Sequence, residues 1–298
     1  MSNGRVLITG RHGFTGRYVA TALASAGWQI WGGCSNPTEQ MDSFDRVADL
    51  TDATSVARLV DEVRPDAVVH LAGIAFVGHG SPNDFYRVNL LGTRNLLDAL
   101  VRNGCGKDGV VLASSANVYG NARVSPISEN TASAPANDYA VSKLAMEQMA
   151  RLFFNQLPIV IARPFNYTGV GQDPKFLVPK VVSHFRERAP LIELGNLDVA
   201  RDFSDVRDVA TVYAALLDGR KVSGETVNIC SGRAIALGEV VDMCSSITGH
   251  TIEIAVNPAF VRADEIKTLN GDPSHLEKLV GGLTRHQFEK TLTWMLES

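Results

Sequence analysis

The run Thr9-Gly10-Arg11-His12-Gly13-Phe14-Thr15-Gly16 stands between an apolar stretch, Arg5–Thr9, and an amphipathic one at about 15–26. Few folds accommodate a strand, a glycine-rich turn and a helix in that order. Glycines let the backbone turn sharply and approach a pyrophosphate closely. The helix behind them offers free N–H groups and the positive end of its dipole. A tight turn without a ligand is the competing explanation. The strand before the glycines and the helix after them are the context a dinucleotide site requires.

The alternation continues downstream. Arg5–Thr9, Gln29–Trp31, Ala67–Leu71, Gly109–Ala113 and Ile159–Ala162 read as buried strands, with helices at about 15–26, 54–63, 83–103 and 139–155 between them. This predicts an α/β fold, a Rossmann-type doubly wound parallel sheet. After Arg163-Pro-Phe-Asn166 the rhythm loosens into helices near 177–188, 206–218 and 237–248 and strands at Leu191–Leu194, Thr226–Cys230 and Ile252–Ala255. The expected division is a dinucleotide-binding domain over 1–165 and a smaller C-terminal α/β substrate-binding cap over 166–298, with an approximate boundary that the chain is free to recross. Thr284 and Gln287 have the spacing of a capping box for a last helix after Gly281-Gly282.

With 298 residues, 45% of them hydrophobic and 20% charged, the chain has the material for a large core. A net charge of −4 exerts no overall pull toward nucleic acid or an anionic membrane. Met1 leads almost directly into a strand pattern, with no basic leader and no long apolar run, so neither a signal peptide nor a membrane span is expected. Cys34, Cys105, Cys230 and Cys244 lie far apart with no CxxC pair. Reduced thiols in a cytoplasmic protein, without a disulfide framework or a zinc site, are the expectation.

The second strand pattern ends in Cys34-Ser35-Asn36 and carries no acid there. An acid at that point accepts from a ribose 2′-hydroxyl and repels a 2′-phosphate. Ser35 and Asn36 donate instead, and Arg11 in the glycine turn is able to pair with phosphate. NADP is therefore expected over NAD, unless Arg11 is only a solvated loop charge. Asp49-Leu50 falls where the next strand ends, and Asp49 is either an acceptor for the adenine amino group or a turn acid. Leu71-Ala72-Gly73 closes the strand pattern after it with small residues that a cofactor could lie against.

Tyr139 and Lys143 are four residues apart on one predicted helix, and so share a face. An ammonium near the phenol is expected to draw its pKa from about 10 toward neutrality, where it serves as acid or base. Ser115 follows the strand Gly109–Ala113, at the end where ligands bind in such sheets. Singly, each of these residues is more often structural than catalytic. In order after a glycine turn, and followed by Arg163-Pro-Phe-Asn166, they form a set that suggests hydride transfer at a carbon bearing oxygen.

With TGRHGFTG, ADLTD, HLAG, NLLGTRNLL, SSANVYG, YAVSK, RPFNYTGVGQ, RDFSDVRDV and NICSG in this order, the chain resembles, nearly end to end, the extended short-chain dehydrogenase/reductases of the NAD-dependent epimerase/dehydratase family. Within it the pattern is most similar to the GDP-6-deoxy-4-keto-D-mannose reductases. The resemblance implies Ser115, Tyr139 and Lys143 as the catalytic triad, and Gly10, Arg11, Gly13, Phe14, Thr15, Gly16, Ser35, Asp49, Leu50, Leu71, Ala72 and Gly73 around NADP. It implies Asn89 as the asparagine that supports the lysine, and Asn166, Arg201 and Arg262 as residues that hold a nucleotide sugar together with Ser115. Val280-Gly-Gly-Leu-Thr284 replaces a Gly-Trp-x-Pro turn common in such proteins.

A 4,6-dehydratase needs an acidic pair after Ser115; Ala116 and Asn117 stand there and neither titrates usefully. A 4-epimerase with retained NAD remains an alternative, as does an NADP-sensing binding protein without enzymatic activity. A homodimer through helices 83–103 and 139–155 is expected, because Leu144, Met146, Met149, Leu152 and Phe153 on one and Leu90, Leu91, Leu97 and Leu100 on the other surround more than one face.

Overall fold

In the computed structural model, which describes residues 3–75, 81–217, 222–258 and 267–298, the apolar runs become a parallel sheet. Its strands are β1 (Arg5–Thr9), β2 (Gln29–Cys34), β3 (Asp45–Val47), β4 (Ala67–His70), β5 (Gly109–Ala113), β6 (Ile159–Pro164) and, much later, β10 (Thr226–Ile229). They lie side by side in the order β10-β6-β5-β4-β1-β2-β3. The order reverses between β1 and β4, and ligands of open parallel sheets bind outside the carboxyl ends of strands at such a point.

Side chains alternate across a strand, so each strand feeds two cores. Leu7, Val68, Val110, Leu112, Ile159 and Ile161 face one way. Val6, Ile8, Ala67, Val69, Val111 and Val160 face the other. The first face is covered by α2 (Ala53–Val63), by α3 and by α4 (Asp138–Arg151). Helix α3 is one continuous helix made of Pro82–Phe85, Tyr86–Gly92 and Thr93–Asn103, whose middle stretch is a π-helix. The second face is covered by α1 (Phe14–Ser25), α6 (Val206–Leu216) and α8 (Ser274–Val280). Each fully buried Val, Leu or Ile contributes roughly 1.5–3 kcal/mol, so the strands are held from both sides.

The remaining strands form two small sheets. β7 (Asn166–Thr168), β9 (Ala200–Asp205), β11 (Ala234–Ala236) and β13 (Thr268–Leu269) make one, and β8 (Leu191–Leu194) pairs with β12 (Glu253–Val256). Helices α5 (Leu177–Arg186), α7 (Leu237–Thr248) and α9 (Phe288–Leu296) pack on them around Val181, Phe185, Phe203, Val240 and Leu292.

Some expectations change. The predicted capping box does not form: α9 starts at Phe288 with Gln287 at its N-cap. The approach to it is extended because His286 is tied to Asp208, its N–H donating to Oδ2 at 2.8 Å and its Nδ1 lying 2.6 Å from Oδ1. Helix α4 ends at Arg151, since the next residues tighten into turns that bring Phe153 and Leu157 into the core. Met146, Met149, Phe153, Leu97 and Leu100, expected at a subunit interface, are buried inside the chain's own core. Leu91 on α3, Val141 on α4 and Leu152 just past the end of α4 remain exposed. Among the described residues no helix is long and apolar enough to cross a membrane.

Candidate active site

Beyond the carboxyl ends of β1, β4, β5 and β6 lies a crevice of about 410 Å³. Its walls include Gly10, Gly13, Phe14, Thr15 and Gly16 of the glycine turn, Leu71 and Gly73 after β4, Ser115 after β5, Tyr139 and Lys143 of α4, and Asn166. Gly10 has φ +76°, and a Cβ on Gly16 would overlap the Gly10 carbonyl oxygen. The turn is thus closed as tightly as backbone allows. No side chain caps the first turn of α1 at Gly13, and the residues of that turn line the crevice. Such a cradle fits a pyrophosphate.

Ser115 is the N-cap of a 3₁₀ turn, Ala116–Tyr119, and its Oγ accepts from the Asn117 backbone N–H at 3.2 Å and from Asn117 Nδ2 at 3.1 Å. The hydroxyl lies near enough to the Tyr139 phenol to lower its pKa. Tyr139 enters the first turn of α4, whose N-cap, Asn137, accepts from the Ala140 N–H at 2.9 Å. One turn on, Lys143 Nζ donates to the Ala113 carbonyl at 2.8 Å. Burial lowers the Lys143 ammonium to about 8, against a weaker upward pull from Glu147.

The expectation that Lys143 draws the phenol toward neutrality is not met. Burial pushes Tyr139 up to about 12, the Ser115 hydroxyl lowers it and Tyr167 raises it. A phenol shielded from water loses more by desolvation of its anion than a single hydrogen bond returns. Tyr139 is therefore a protonated group at neutral pH, a donor rather than an acceptor.

Several predicted residues stand off the crevice walls. Asn89, on the π-helical stretch of α3, accepts from the Ile74 N–H at 2.9 Å and donates to the Ile74 carbonyl and to Ser142 Oγ. It ties the loop after β4 to α4. Asp49 accepts from Thr51 N–H and Oγ1, both at 2.8 Å, which holds its carboxyl below the usual range. The Leu50 carbonyl accepts from Asn95 at 2.8 Å. Ala72 N–H reaches Thr9 Oγ1 at 3.3 Å. Ser35 is exposed at the end of β2. Arg11 reaches away from the crevice to pair with Asp42 and Asp45. Arg201 shares a face of β9 with the crevice residue Phe203, by strand alternation. Asp202 and Asp205, on the same strand, each have several bonds of their own. Asp202 collects Ser231, Gly232 and Gly271, and Asp205 holds Arg207 and Thr291. Arg262 lies outside the described residues.

Three features escaped sequence reasoning. Tyr167 joins the halves of the crevice: its hydroxyl is 2.8 Å from Thr15 Oγ1, and its ring stacks on Phe14 at 6.1 Å. Its place directly after Asn166 was the available signal. Behind Lys143, Glu147 pairs with Arg163, whose Nη1 donates to Tyr119 at 2.9 Å. An arginine inside a buried strand always needs such a partner. His70 bridges Thr9 and Thr93 at 2.6 and 2.9 Å, and burial holds it neutral, down to about 3.

The family model for the NAD dependent epimerase/dehydratase family matches residues 6–230. GDP-6-deoxy-D-talose 4-dehydrogenase of Aggregatibacter actinomycetemcomitans is 36% identical over 93% of this chain and 91% of its own. GDP-6-deoxy-D-mannose reductase of Pseudomonas aeruginosa is 33% identical with the same coverage of each. Among solved structures, a candidate epimerase from Burkholderia cenocepacia J2315 superimposes with a TM-score of 0.92 at 47% identity, covering 99% of this chain and 98% of that one. RMD from Pseudomonas aeruginosa, complexed with NADPH, does so at 0.85 and 31%, with the same coverage of each.

Proposed function

The chain belongs to the NAD dependent epimerase/dehydratase family, and we propose that it reduces the C4 ketone of a nucleotide-linked 4-keto-6-deoxyhexose with NADPH. It is an NAD(P)-linked oxidoreductase of the kind that modifies nucleotide sugars. The substrate favoured is GDP-4-keto-6-deoxy-D-mannose and the product GDP-D-rhamnose. The observation that carries this reading is the pair Ser115 and Tyr139, side by side on the wall of the crevice, with a phenol that stays protonated up to about 12. A reductase needs a proton donor at the carbonyl oxygen, and this pair supplies one. NADPH as the reductant is supported by the glycine cradle and by the NADPH complex of the 31% identical relative.

When bound, NADPH supplies the hydride. Gly10, Gly13 and the N-terminus of α1 would hold its pyrophosphate. Ser115 donates to the C4 carbonyl oxygen and stabilises charge as it develops. Tyr139 gives that oxygen its proton. Lys143, still an ammonium below about 8, would donate to the hydroxyls of the nicotinamide ribose. Asn166 and Arg201 hold the nucleotide sugar so that C4 faces the reductant, with residues 1–165 serving the cofactor and 166–298 mainly the sugar.

The two GDP-sugar relatives are named for talose and mannose, C4 epimers, so the configuration set at C4 is the finer question. The 47% identical candidate epimerase favours a second reading, 4-epimerisation of a nucleotide sugar with retained NAD. One experiment tests all of these. The protein is given NADPH and GDP-, dTDP- or UDP-4-keto-6-deoxy sugars, NADPH loss is followed, and the product C4 is assigned by NMR. Stoichiometric NADPH oxidation with the GDP sugar and a rhamno product is expected. A talo product would correct the stereochemistry. Interconversion of C4 epimers without NADPH loss would replace reductase by epimerase.

A cytoplasmic homodimer completes the proposal. Its support is the exposure of Leu91 at 51% on α3, Val141 at 38% on the neighbouring α4 and Leu152 at 69% just past the end of α4. Apolar groups left in water on adjacent helices favour a helical partner.

A further inference from the structure

At the far end of the glycine turn, Arg11 leaves the crevice and crosses the carboxyl end of β2. Only a glycine at position 32 leaves room: a Cβ there would overlap the Asp45 carboxylate and stand 2.8 Å from Arg11 Cδ. Two acids meet the guanidinium, and they differ in kind. Asp45 is fully buried. Its Oδ1 accepts from Arg11 Nη1 at 2.9 Å, and its Oδ2 accepts from the Asp42 N–H at 2.9 Å and lies 3.0 Å from His12 Nε2. Asp42 has a side chain 47% exposed and takes the outer edge of the guanidinium, accepting from Nη2 at 2.8 Å and Nη1 at 3.3 Å. It also accepts from the Phe44 N–H at 2.8 Å.

We propose that Asp45 is the fixed anchor of Arg11, that Asp42 is a built-in competitor for the 2′-phosphate of the cofactor, and that exchange of Asp42 for phosphate on Arg11 sets the preference for NADPH over NADH. This rests on the NADPH reading above. The outer edge of the guanidinium is where an incoming phosphate would pair, because the inner edge is closed by a carboxylate that cannot leave. A phosphate monoester carries more charge than a carboxylate and matches the planar guanidinium fork equally well. It therefore displaces Asp42, which has solvent to move into. Bringing phosphate in beside Asp42 without displacing it would set like charges against each other. NADH brings no group to make the exchange and leaves the Arg11–Asp42 pair intact. The acid that opposes phosphate is thus supplied by the segment before β3 and not by the tip of β2.

The test is calorimetric titration of NADPH and NADH into the wild type, Asp42→Asn, Asp42→Ala, Arg11→Ala and the double variant Arg11→Ala/Asp42→Asn. Removing a partly exposed competitor should raise the ratio Kd(NADH)/Kd(NADPH) about three- to tenfold in both Asp42 variants. The gain should vanish in the Arg11→Ala background, because the coupling runs through that side chain. An unchanged or lower ratio in the Asp42 variants overturns the proposal, and so does a gain that survives without Arg11. Equal wild-type affinities would sink the NADPH preference separately, while a gain in Asp42→Asn would still uphold the competition.

Discussion

Glu147 and Arg163 form a two-point ion pair between α4 and β6, with Nε donating at 2.9 Å and Nη2 at 2.5 Å, and neither side chain is more than 6% exposed. Ser114 donates to the same carboxylate, and Tyr119 links Arg163 to Asn228 on β10, its hydroxyl 2.7 Å from Asn228 Oδ1. Glu147 is also one helical turn beyond Lys143. The pair therefore braces the helix that carries Tyr139 and Lys143 against β6, β10 and the residue that follows β5.

Breaking that pair on one side leaves a buried charge alone. Glu147→Gln is expected to lower the unfolding free energy by about 3–5 kcal/mol, read from denaturant midpoints. Replacing both residues, as Glu147→Gln with Arg163→Met, should recover a large part of the loss. A single variant as stable as the wild type would show that the pair carries no structural charge.

Tyr139→Phe removes the proton donor and little else. Turnover should fall about 10²–10⁴-fold, while NADPH affinity by titration stays within a few fold. Ser115→Ala should lose about 10²–10³ in kcat by removal of one donor to the developing oxyanion. Near-normal turnover of Tyr139→Phe would remove it from the chemistry.

The pH dependence follows from Lys143 and not from Tyr139. Burial takes Lys143 down to about 8 and Tyr139 up to about 12. Lys143 is an ammonium below 8 and loses its proton as pH rises through that value, while the phenol stays protonated. Reductase kcat/KM should therefore decline above pH 8, by up to about tenfold per unit if the charge is essential. In Lys143→Arg the decline should move to higher pH, since guanidinium keeps its proton. A profile identical in both proteins would disconnect Lys143 from it.

His70 predicts acid sensitivity of the fold. Its pKa falls from 6.5 to about 3 because burial excludes the charged ring. Between those values the unfolded chain binds a proton that the folded chain refuses, so stability drops as pH falls, by up to about 1.4 kcal/mol per unit. His70→Gln should flatten this slope in unfolding curves taken from pH 7 to 4. An unchanged slope would place the sensitivity elsewhere.

For the dimer, light scattering at micromolar concentration should give twice the chain mass of 32.1 kDa. Leu152→Asp should shift the protein toward monomer, because it puts a charge into the apolar contact. A monomeric wild type would reject the interface.

The amino-acid sequence determined the features written in local periodicity. β1 and β5 have the bounds their apolar runs predict, because strands of a parallel sheet covered on both faces are continuously apolar. The glycine turn and the shared face of Tyr139 and Lys143 depend on neighbours a few residues away. Tertiary structure decided what depends on distant partners. β7 and β13 are two or three residues long with polar members, and they exist through pairing with β9 far along the chain. The protonation of Tyr139 follows from how deeply the fold buries it. Arg11 meets Asp45 across 34 positions only because β2 and β3 lie side by side. Spacing along a chain reveals a helix face or a turn, but burial and long-range ion pairs arise from the packing of whole elements, and these two quantities set the charges in this site.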